Sequence, residues 1–323
     1  MSTKTKIWLI TGLSLMIVGA IIFTGVMMAL NWDFNNLSTV KYETKNYEIT
    51  EDFSDILLKT DTSKIVFKLS SDGKNRVECF EEKNAKHSVS VVDNILKIEL
   101  SNTKKWYEYI GINFKSPSIT LYLNKNDFGK LNIKESTGDI QIPKDFNFTN
   151  IDISLSTGDV ATSASSLGNI KIKTSTGDIK IENIIAHNID LTASTGKITA
   201  KNIKADGDIS VKLSTGKAHL LDIICKNLIS KANTGDIKLL NVIAKEKFSI
   251  ERSTGDVEFK KSDAAEIFIK TDTGSVTGSL LTDKIFITKT DTGSVDVPES
   301  LNGGKCEIIT DTGNIKIILN KNK

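Results

Sequence analysis

The sequence is poor in the residues that usually build disulfide frameworks and catalytic centres. Its 323 residues include three cysteines, three histidines, three prolines and two arginines. The cysteines are odd in number and widely spaced, without a CxxC pair, so they predict neither a disulfide framework nor a zinc site. We interpret all three as small core residues: Cys79, Cys225 and Cys306.

The histidines are equally scattered, at His87, His187 and His219. Their spacing does not match the clustered ligand patterns of metal sites. We interpret them as packed or surface residues, and the sequence therefore predicts no metal, no cofactor and no catalytic residue.

No charge of one sign dominates the chain. Lysine and arginine together number 42, against 40 for aspartate and glutamate. A basic stripe of the kind that binds nucleic acid is not present in the sequence, so we expect no nucleic-acid partner. Aromatic residues make up only 7%, while Ile, Thr, Lys, Asn and Asp are abundant, which favours β-strands joined by polar turns.

The N-terminal region contains an apolar segment, residues 7–30, that runs for 24 residues without a charge. A helix of that length is about 36 Å long and can cross a hydrocarbon core of about 30 Å. Lys4 and Lys6 precede it and Asp33 follows it. The pattern predicts a cytoplasmic stub at 1–6, an uncleaved membrane anchor at 7–30 and an extracellular remainder. A cleaved signal peptide is the alternative, although its apolar region is usually about 7 to 15 residues.

The rest of the chain repeats a short phrase, STGD or a close variant. Its glycine recurs at intervals of 19 or 20 residues, which indicates a solenoid whose repeats bury their apolar faces against each other. The ten glycines are Gly138, Gly158, Gly177, Gly196, Gly216, Gly235, Gly255, Gly274, Gly293 and Gly313.

Apolar residues occupy fixed positions around each glycine. The residue seven before it and the residue two after it are apolar in all ten copies, as with Ile170 and Ile179 around Gly177. Alternation with period two predicts two short strands per repeat, and the interval is too short for a helical repeat. We therefore predict an all-β protein, a parallel β-solenoid of about ten coils over 131–320.

The invariant part of the phrase has a structural interpretation. Threonine precedes every glycine and predicts a ladder of side chains about 4.8 Å apart. The glycine supplies a corner with a positive φ angle.

The acidic part of the phrase varies. An aspartate follows the glycine at Asp139, Asp159, Asp178, Asp236 and Asp256, is replaced by Lys197 and Lys217, and precedes the glycine at Asp272, Asp291 and Asp311. We interpret these aspartates as turn caps. Weak calcium binding by the consecutive Asp139, Asp159 and Asp178, assisted by Ser136, Ser156 and Ser175, is the alternative.

Two enzymatic interpretations are weaker. The stretches 272–275 and 291–294 both read DTGS, as in aspartic peptidases, but those enzymes need two aspartates facing each other across a cleft. We expect Asp272 and Asp291 to lie one coil apart on the same face. A carbohydrate lyase would need an arginine and carboxylate cluster, and the chain has only Arg76 and Arg252.

The segment before the regular repeats predicts a β cap at 46–130, after a linker at 31–45. Within it, Ser63 replaces the glycine of a degenerate first coil formed by Ile56, Leu58, Thr62, Ile65 and Phe67. The cap covers the exposed N-terminal edge of the solenoid. Its aromatic stretch, with Trp106, Tyr107 and Tyr109, favours packing beneath the cap over a carbohydrate-stacking tip.

The anchor, the cap stretches NILKIEL and SITLYL, and the serial STGD coils together resemble the bacterial putative-adhesin family of β-helical proteins. The resemblance covers roughly residues 45–320 and implies no catalytic residues. It also implies a membrane-anchored companion of Gram-positive cell-envelope stress systems.

These observations favour a non-enzymatic, membrane-tethered scaffold or adhesin-like binding module, with an envelope protein or a cell-wall polymer as partner. A regulatory partner in an envelope-stress response is the first alternative. A glycan-active β-helix enzyme is the second.

Overall fold

A computed structural model describes residues 2–34, 40–102 and 115–320. Its helix α1, Thr3–Ala29, begins at Ser2, whose hydroxyl accepts a hydrogen bond from the backbone N–H of Thr5 at 3.3 Å. The helix ends where Asn31 and Trp32 adopt left-handed backbone angles. It is long and apolar enough to cross a membrane, and its apolar window has no side chain buried against the rest of the protein. It is consistent with the predicted anchor.

Within the described ranges, all strands and helices after α1 are β-strands. The strands before the regular coils are β1 Tyr42–Ile49, β2 Asp55–Lys59, β3 Lys64–Leu69, β4 Asn75–Glu82, β5 Ala85–Val92, β6 Ile95–Asn102 and β7 Ser118–Leu123. Those of the coils are β8 Asp127–Thr137, β9 Ile140–Ile142, β10 Asn147–Thr157, β11 Val160–Thr162, β12 Ser165–Ser166, β13 Asn169–Thr176, β14 Ile179–Ala186, β15 Asn188–Ala205, β16 Ile209–Thr234, β17 Ile237–Thr254, β18 Val257–Lys260, β19 Asp263–Thr273, β20 Val276–Leu280, β21 Lys284–Thr292, β22 Val295–Asp296, β23 Gly304–Thr312 and β24 Ile315–Leu319.

Parallel pairing between successive coils confirms the predicted β-solenoid. Equivalent residues lie opposite each other, as Ile151 lies opposite Ile170 and Thr157 lies opposite Thr176. The inward-facing residues alternate with outward-facing polar ones, and Ile170 and Ile172 are at most 1% exposed. Burying an isoleucine of this kind stabilises the fold by about 1.5 to 3 kcal/mol, so the stacked columns supply most of the folding free energy.

The central coils have three sides, whereas the sequence predicted two strands per coil. In the coil of Gly196, residues 188–195 form the first side, 198–201 the second and 203–205 the third, and each pairs with the coil before it. The prediction missed the third side because it is short and its corner has no glycine. That corner is Asn202, with a φ angle of 52°.

Chain order and stacking order differ at the C-terminal end. Strand β19 pairs with β23, and β23 pairs with β21; likewise β20 pairs with β24, and β24 with β22. The last coil of the chain, 304–319, therefore lies between the coil of Gly274 and the coil of Gly293. The expectation that Asp272 and Asp291 lie one coil apart is wrong, because the coil carrying Asp311 separates them.

The N-terminal end has the same kind of inversion. The first coil, β2 and β3, pairs on one side with β8 and β9 and on the other with β6 and β7. In this coil Thr62 bridges Thr137 and Ser63 occupies the glycine position, since its N–H donates to the carbonyl of Thr137 at 2.9 Å. The first coil is thus enclosed by later parts of the chain.

Antiparallel strands close the N-terminal end. One layer extends from β7 through β4 to β1, and a second extends from β6 to β5. The two layers are joined by the hairpin between β4 and β5, where Glu82 lies opposite Ala85. The cap proposed from the sequence thus contains two small antiparallel layers on the outermost coil.

Candidate functional site

The STGD phrase forms a corner in which backbone atoms of neighbouring coils nearly touch. At Gly216 the φ angle is +147°, and a Cβ atom there would lie 1.8 Å from the carbonyl oxygen of Gly196. The N–H of each glycine joins the next coil, as Gly158 donates to the carbonyl of Thr176 at 2.9 Å. A side chain would both strain the backbone and push two coils apart, so this corner is structural.

The aspartates after the glycine cap the corner of the next coil. The N–H of Asp159 donates to Oδ1 of Asp139 at 3.0 Å, and the N–H of Asp178 donates to Oδ1 of Asp159 at 2.7 Å. The series continues to Lys197, whose N–H donates to Oδ1 of Asp178 at 2.7 Å. These carboxylates are thus directed at backbone amides, which agrees with the turn-cap interpretation. Within the described ranges, Asp139, Asp159 and Asp178 do not form a set of ligand atoms close enough to share one cation.

Two further ladders line the other corners, and the sequence analysis missed them. In one, the side-chain amide of Asn202 donates to Oδ1 of Asn183 at 2.7 Å. In the other, the amide of Asn188 donates to Oδ1 of Asn169 at 3.0 Å. The signal was available, because asparagine or aspartate recurs six residues after the glycine at Asn183, Asn202, Asp222 and Asn241, all with positive φ.

The two DTGS stretches do not form a peptidase site. Asp272 and Asp291 are two coils apart, about 9.6 Å for stacked strands, whereas a catalytic pair must lie close enough to share a proton. Each aspartate instead lies beside a lysine of its own coil, Lys270 at 3.8 Å and Lys289 at 3.1 Å.

A groove of about 380 Å³ crosses the first side of five consecutive coils. One edge carries Lys212, Lys231, Glu251 and Lys270 on successive coils, and Asp272 lies on the opposite edge. The other edge carries the exposed Ser194, Ser214, Asn233 and Ser253, and the buried apolar residues Ala193, Leu213 and Ala232 lie between the two edges. The groove therefore presents the same donors repeatedly along the stacking axis.

Arg252 forms part of the same groove, although its side chain enters the core. It is 3% exposed, and its Nη2 donates to Oγ of Ser230 at 2.7 Å while its Nη1 donates to the carbonyl of Glu251 at 3.0 Å. Burial lowers the pKa of the Arg252 guanidinium to about 10, so it remains charged at neutral pH and leaves the groove with an excess of positive charge.

A second, apolar hollow of about 610 Å³ lies near the cap. Phe128 and Phe148 form its floor and are stacked with ring centroids 5.8 Å apart. Leu167 and Ile185 stand at its edge and are 84% and 61% exposed. This hollow could accommodate an apolar group.

The cap brings together Cys79 and His87, which the sequence analysis treated separately, and Glu81, which it did not single out. Cys79, Glu81 and His87 are all buried, and one potential ligand atom of each lies within 4.8 Å of those of the other two. The sequence carried a signal for this cluster. Cys79 and Glu81 are two residues apart, which places them on one face of a strand, and His87 follows after a short turn.

Of the other singled-out residues, those that the structure describes form no such group. Cys225 and Cys306 are fully buried, as predicted for core residues, and burial raises the pKa of each thiol to about 12. His187 is exposed, and burial together with nearby lysines lowers the pKa of the half-buried His219. The aromatic residues Trp106, Tyr107 and Tyr109 lie outside the described residues.

Comparison with solved structures found chains similar to this one. A chain from Parabacteroides distasonis titled "putative lipid binding protein" has a TM-score of 0.50 and 16% identity, covering 73% of this chain and 96% of that one. A "putative adhesin" from Bacteroides fragilis has a TM-score of 0.42 and 19% identity, covering 86% of this chain and 97% of that one. At 16% identity, the likeness to the Parabacteroides distasonis chain concerns the fold alone. No curated protein matches this chain.

A family model gives the more specific relationship. It matches residues 53–212 and again residues 197–323, so that the two matches together cover the first coil, most of the cap and all regular coils. The chain belongs to the Toastrack DUF4097 family.

Proposed function

We propose that this protein is a non-enzymatic, membrane-anchored binding module that holds an elongated anionic polymer of the cell envelope. The observation that carries the proposal is the groove across the first side of the solenoid, residues 192–272. It has four cationic side chains, Lys212, Lys231, Arg252 and Lys270, against the two acidic ones, Glu251 and Asp272. This excess of positive charge favours an anionic partner.

The shape of the groove favours a polymer over a compact ligand. Five coils stacked about 4.8 Å apart give a length of about 19 Å. One edge of the groove presents Ser194, Ser214, Asn233 and Ser253 on successive coils, so a chain molecule lying along the axis meets one hydrogen-bonding side chain at each step.

A binding measurement tests the proposal. The full-length protein in detergent micelles is titrated with poly(glycerol phosphate), and neutral dextran serves as the comparison polymer. We expect saturable binding of the anionic polymer that weakens as salt rises. The double variant Lys212→Gln/Lys231→Gln removes two positive charges from the groove and should bind the anionic polymer about 10-fold more weakly. This loss corresponds to about 1.4 kcal/mol of binding free energy.

The matched control is Lys180→Gln/Lys238→Gln. These lysines lie on the second side of the coils, each in an exposed ion pair, with Glu182 at 3.2 Å and with Glu258 at 2.7 Å. The control removes the same charge but leaves the groove residues 212 and 231 intact. Equal losses in the two double variants, or equal binding of dextran, would contradict the proposal.

The orientation of the chain is part of the proposal. Helix α1 supports a single membrane span, and Lys4 and Lys6 before it favour a cytoplasmic N-terminus. Protease added to intact cells should therefore degrade residues 40–320. A soluble secreted form that starts near Asn31 would show that the segment is cleaved as a signal peptide.

Regulation of an envelope-stress response is the second candidate function. It is favoured by α1, whose apolar side chains are mostly exposed, as Trp8 is at 78% and Leu15 at 68%, although Met27 near its end is buried. Such a surface can contact another membrane helix as well as lipid. Replacement of residues 7–30 by an unrelated apolar helix of equal length separates the functions: regulation through α1 is lost, whereas polymer binding is retained.

A further inference from the structure

The cluster of Cys79, Glu81 and His87 lies where the two layers of the cap meet. Cys79 and Glu81 are two residues apart on β4, so their side chains point to the same face, and His87 follows on β5 after the turn between Glu82 and Ala85. Cys79 and Glu81 are 0% exposed and His87 is 4% exposed. Three side chains that commonly bind metals thus share one interior site.

The hydrogen bonds of the cluster leave two polar atoms without a partner. Oε2 of Glu81 accepts the backbone N–H of His87 at 2.6 Å and lies 2.8 Å from Nδ1 of the same ring. Oε1 of Glu81 and Nε2 of His87 are buried and make no hydrogen bond within the described part of the chain. Because buried polar atoms are nearly always paired, these two atoms point to a missing ligand.

We propose that Cys79, Glu81 and His87 bind a zinc ion, with a water molecule in the fourth position. Thiolate, imidazole and carboxylate are together the ligands that Zn²⁺ prefers, whereas Mg²⁺ and Ca²⁺ prefer oxygen alone. A thiolate and a carboxylate carry two negative charges, which balance the charge of the ion. The thiol of Cys79 loses its proton to solvent on binding, and His87 binds as the neutral ring.

The geometry requires only a small contraction. Zinc bonds of about 2.0 to 2.3 Å arranged tetrahedrally place ligand atoms about 3.3 to 3.7 Å apart. The three ligand atoms now lie within 4.8 Å of one another, so shifts of about 1 Å suffice. The hydroxyl of Tyr47 donates to the carbonyl of His87 at 2.6 Å and fixes the backbone there.

Neighbouring charges leave room for the ion. Lys45 lies opposite Cys79 in the adjacent strand β1, but its ammonium group is placed over the ring of Tyr47, 4.8 Å from the centroid. Lys86 is paired with Glu43 at 2.7 Å. Neither cation forms an ion pair with Glu81 among the described residues, so the carboxylate is available to the metal.

The proposed ion would crosslink the two layers of the cap. Strand β4 belongs to one layer and β5 to the other, and in the described part of the chain the two strands share a single register pair, Glu82 with Ala85. A zinc ion held there would stabilise the end of the solenoid that the chain enters first.

Metal binding to the full-length protein in detergent tests the proposal. The protein is first stripped of metal with a chelator and then titrated with Zn²⁺ in the presence of a chromophoric competitor. The number of bound metal ions per chain is measured by inductively coupled plasma mass spectrometry. We expect one zinc per chain and a rise in the melting temperature. The variants Cys79→Ser and His87→Gln should each bind at least about 100-fold more weakly, more than the loss typical of outer residues around a metal.

The controls use residues of the same type elsewhere in the chain. Cys225→Ser changes a buried thiol of the solenoid core and His187→Gln changes an exposed ring, so both should keep wild-type affinity for zinc. Co²⁺ provides a readout on the wild-type protein even if Cys79→Ser does not fold, since a thiolate ligand gives an intense charge-transfer absorption. Absence of that band, or equal zinc affinity in Cys79→Ser, His87→Gln and the wild type, would overturn the proposal.

Discussion

Ser63 donates its backbone N–H to Oε1 of Glu135 at 3.1 Å, and this bond joins residues 72 positions apart. It links the first coil to the coil that follows the entire cap. Glu135 is 5% exposed, its Oε2 has no hydrogen-bond partner in the described ranges, and desolvation raises the pKa of its carboxyl to about 8. The folded protein therefore holds a proton here at neutral pH.

This raised pKa predicts a loss of stability with rising pH. The unfolded chain releases the proton near pH 4.5, whereas the folded state keeps it until the pH passes about 8. The contribution of Glu135 to the free energy of unfolding is thus complete below pH 4.5 and disappears as the pH rises to 8. At about 1.4 kcal/mol per pKa unit, the shift from 4.5 to about 8 sets an upper limit of about 5 kcal/mol on this loss. We expect Glu135→Gln to remove this pH dependence. The measurement is the change in unfolding free energy between pH 5 and pH 9, compared between the variant and the wild type. The exposed Glu258→Gln should leave it unchanged.

The corner glycine of a central coil predicts local rather than uniform destabilisation. In Gly216→Val the added side chain collides with the carbonyl of Gly196, 1.8 Å from the Cβ position. Because each coil contacts only its neighbours, the unfolding transition should split into two. Gly73→Ala is the control, since Gly73 has a φ of +73° but nothing within 4 Å of the Cβ position. It should cost only about 1 kcal/mol and keep a single transition in calorimetry.

The buried ion pair at the C-terminal crossing predicts a second local effect. Nζ of Lys284 lies 2.6 Å from Oδ1 of Asp263, and Oδ2 of Asp263 accepts the N–H groups of Leu281 and Thr282 at 2.9 and 2.7 Å. These bonds hold the turn from which the chain skips a coil. Asp263→Ala leaves Lys284 buried without its partner and should cost about 3 to 5 kcal/mol. Limited proteolysis should then begin after residue 280.

An exposed pair provides the comparison for that variant. Lys238 and Glu258 lie 2.7 Å apart with side chains 56% and 49% exposed. Glu258→Ala should change the unfolding free energy by less than about 1 kcal/mol. Equal effects of Asp263→Ala and Glu258→Ala would contradict the role assigned to the buried pair.

The stacking order of the last coils can be tested with engineered disulfides. Thr312 lies opposite Thr273 on one side and opposite Thr292 on the other. Paired strands are about 4.8 Å apart, within the span of a disulfide, whereas two coils are about 9.6 Å apart and exceed it. Thr273→Cys/Thr312→Cys should therefore oxidise readily, and Thr273→Cys/Thr292→Cys should stay reduced, as thiol titration would show. The reverse result would mean that the coils stack in chain order.

The aspartate ladder predicts capping without calcium. Oδ1 of Asp159 accepts the N–H of Asp178 at 2.7 Å. Asp159→Ala removes that acceptor and should cost about 1 kcal/mol, whereas Asp159→Asn keeps an oxygen there and should cost less. Millimolar Ca²⁺ should leave the melting temperature of the wild type unchanged. A calcium-dependent rise that Asp159→Asn abolishes would restore the calcium interpretation.

The repeat made most of the fold predictable. Gly138 and its nine equivalents require a positive φ angle, and buried residues such as Ile170 and Ile179 recur at fixed distances from them. Both constraints leave a mark in every coil. The third side was missed because Asn202 and its equivalents tolerate a positive φ without being glycine.

The coil order and the cluster in the cap could not be predicted in the same way. Residues 304–319 carry the same repeat as residues 284–296. The spacing of the repeat therefore does not show which of these two coils lies at the end of the stack. Cys79 and His87 belong to strands β4 and β5, which pair at one position only. The distance between the two side chains therefore depends on how the two cap layers pack against each other. Long-range packing, rather than local pattern, decides both features.

The interposed last coil determines when the distal end can form during synthesis. A ribosome releases the chain from its N-terminus, so residues 284–296 emerge before the coil that joins them to residues 263–280. Until the final segment is free, the coil ending at Leu280 presents an open strand edge, a surface that recruits chaperones or other edges. Emergence of residues 304–319 therefore becomes the event that closes this end, and a nascent chain stalled near residue 300 should remain sensitive to protease from residue 281 onward.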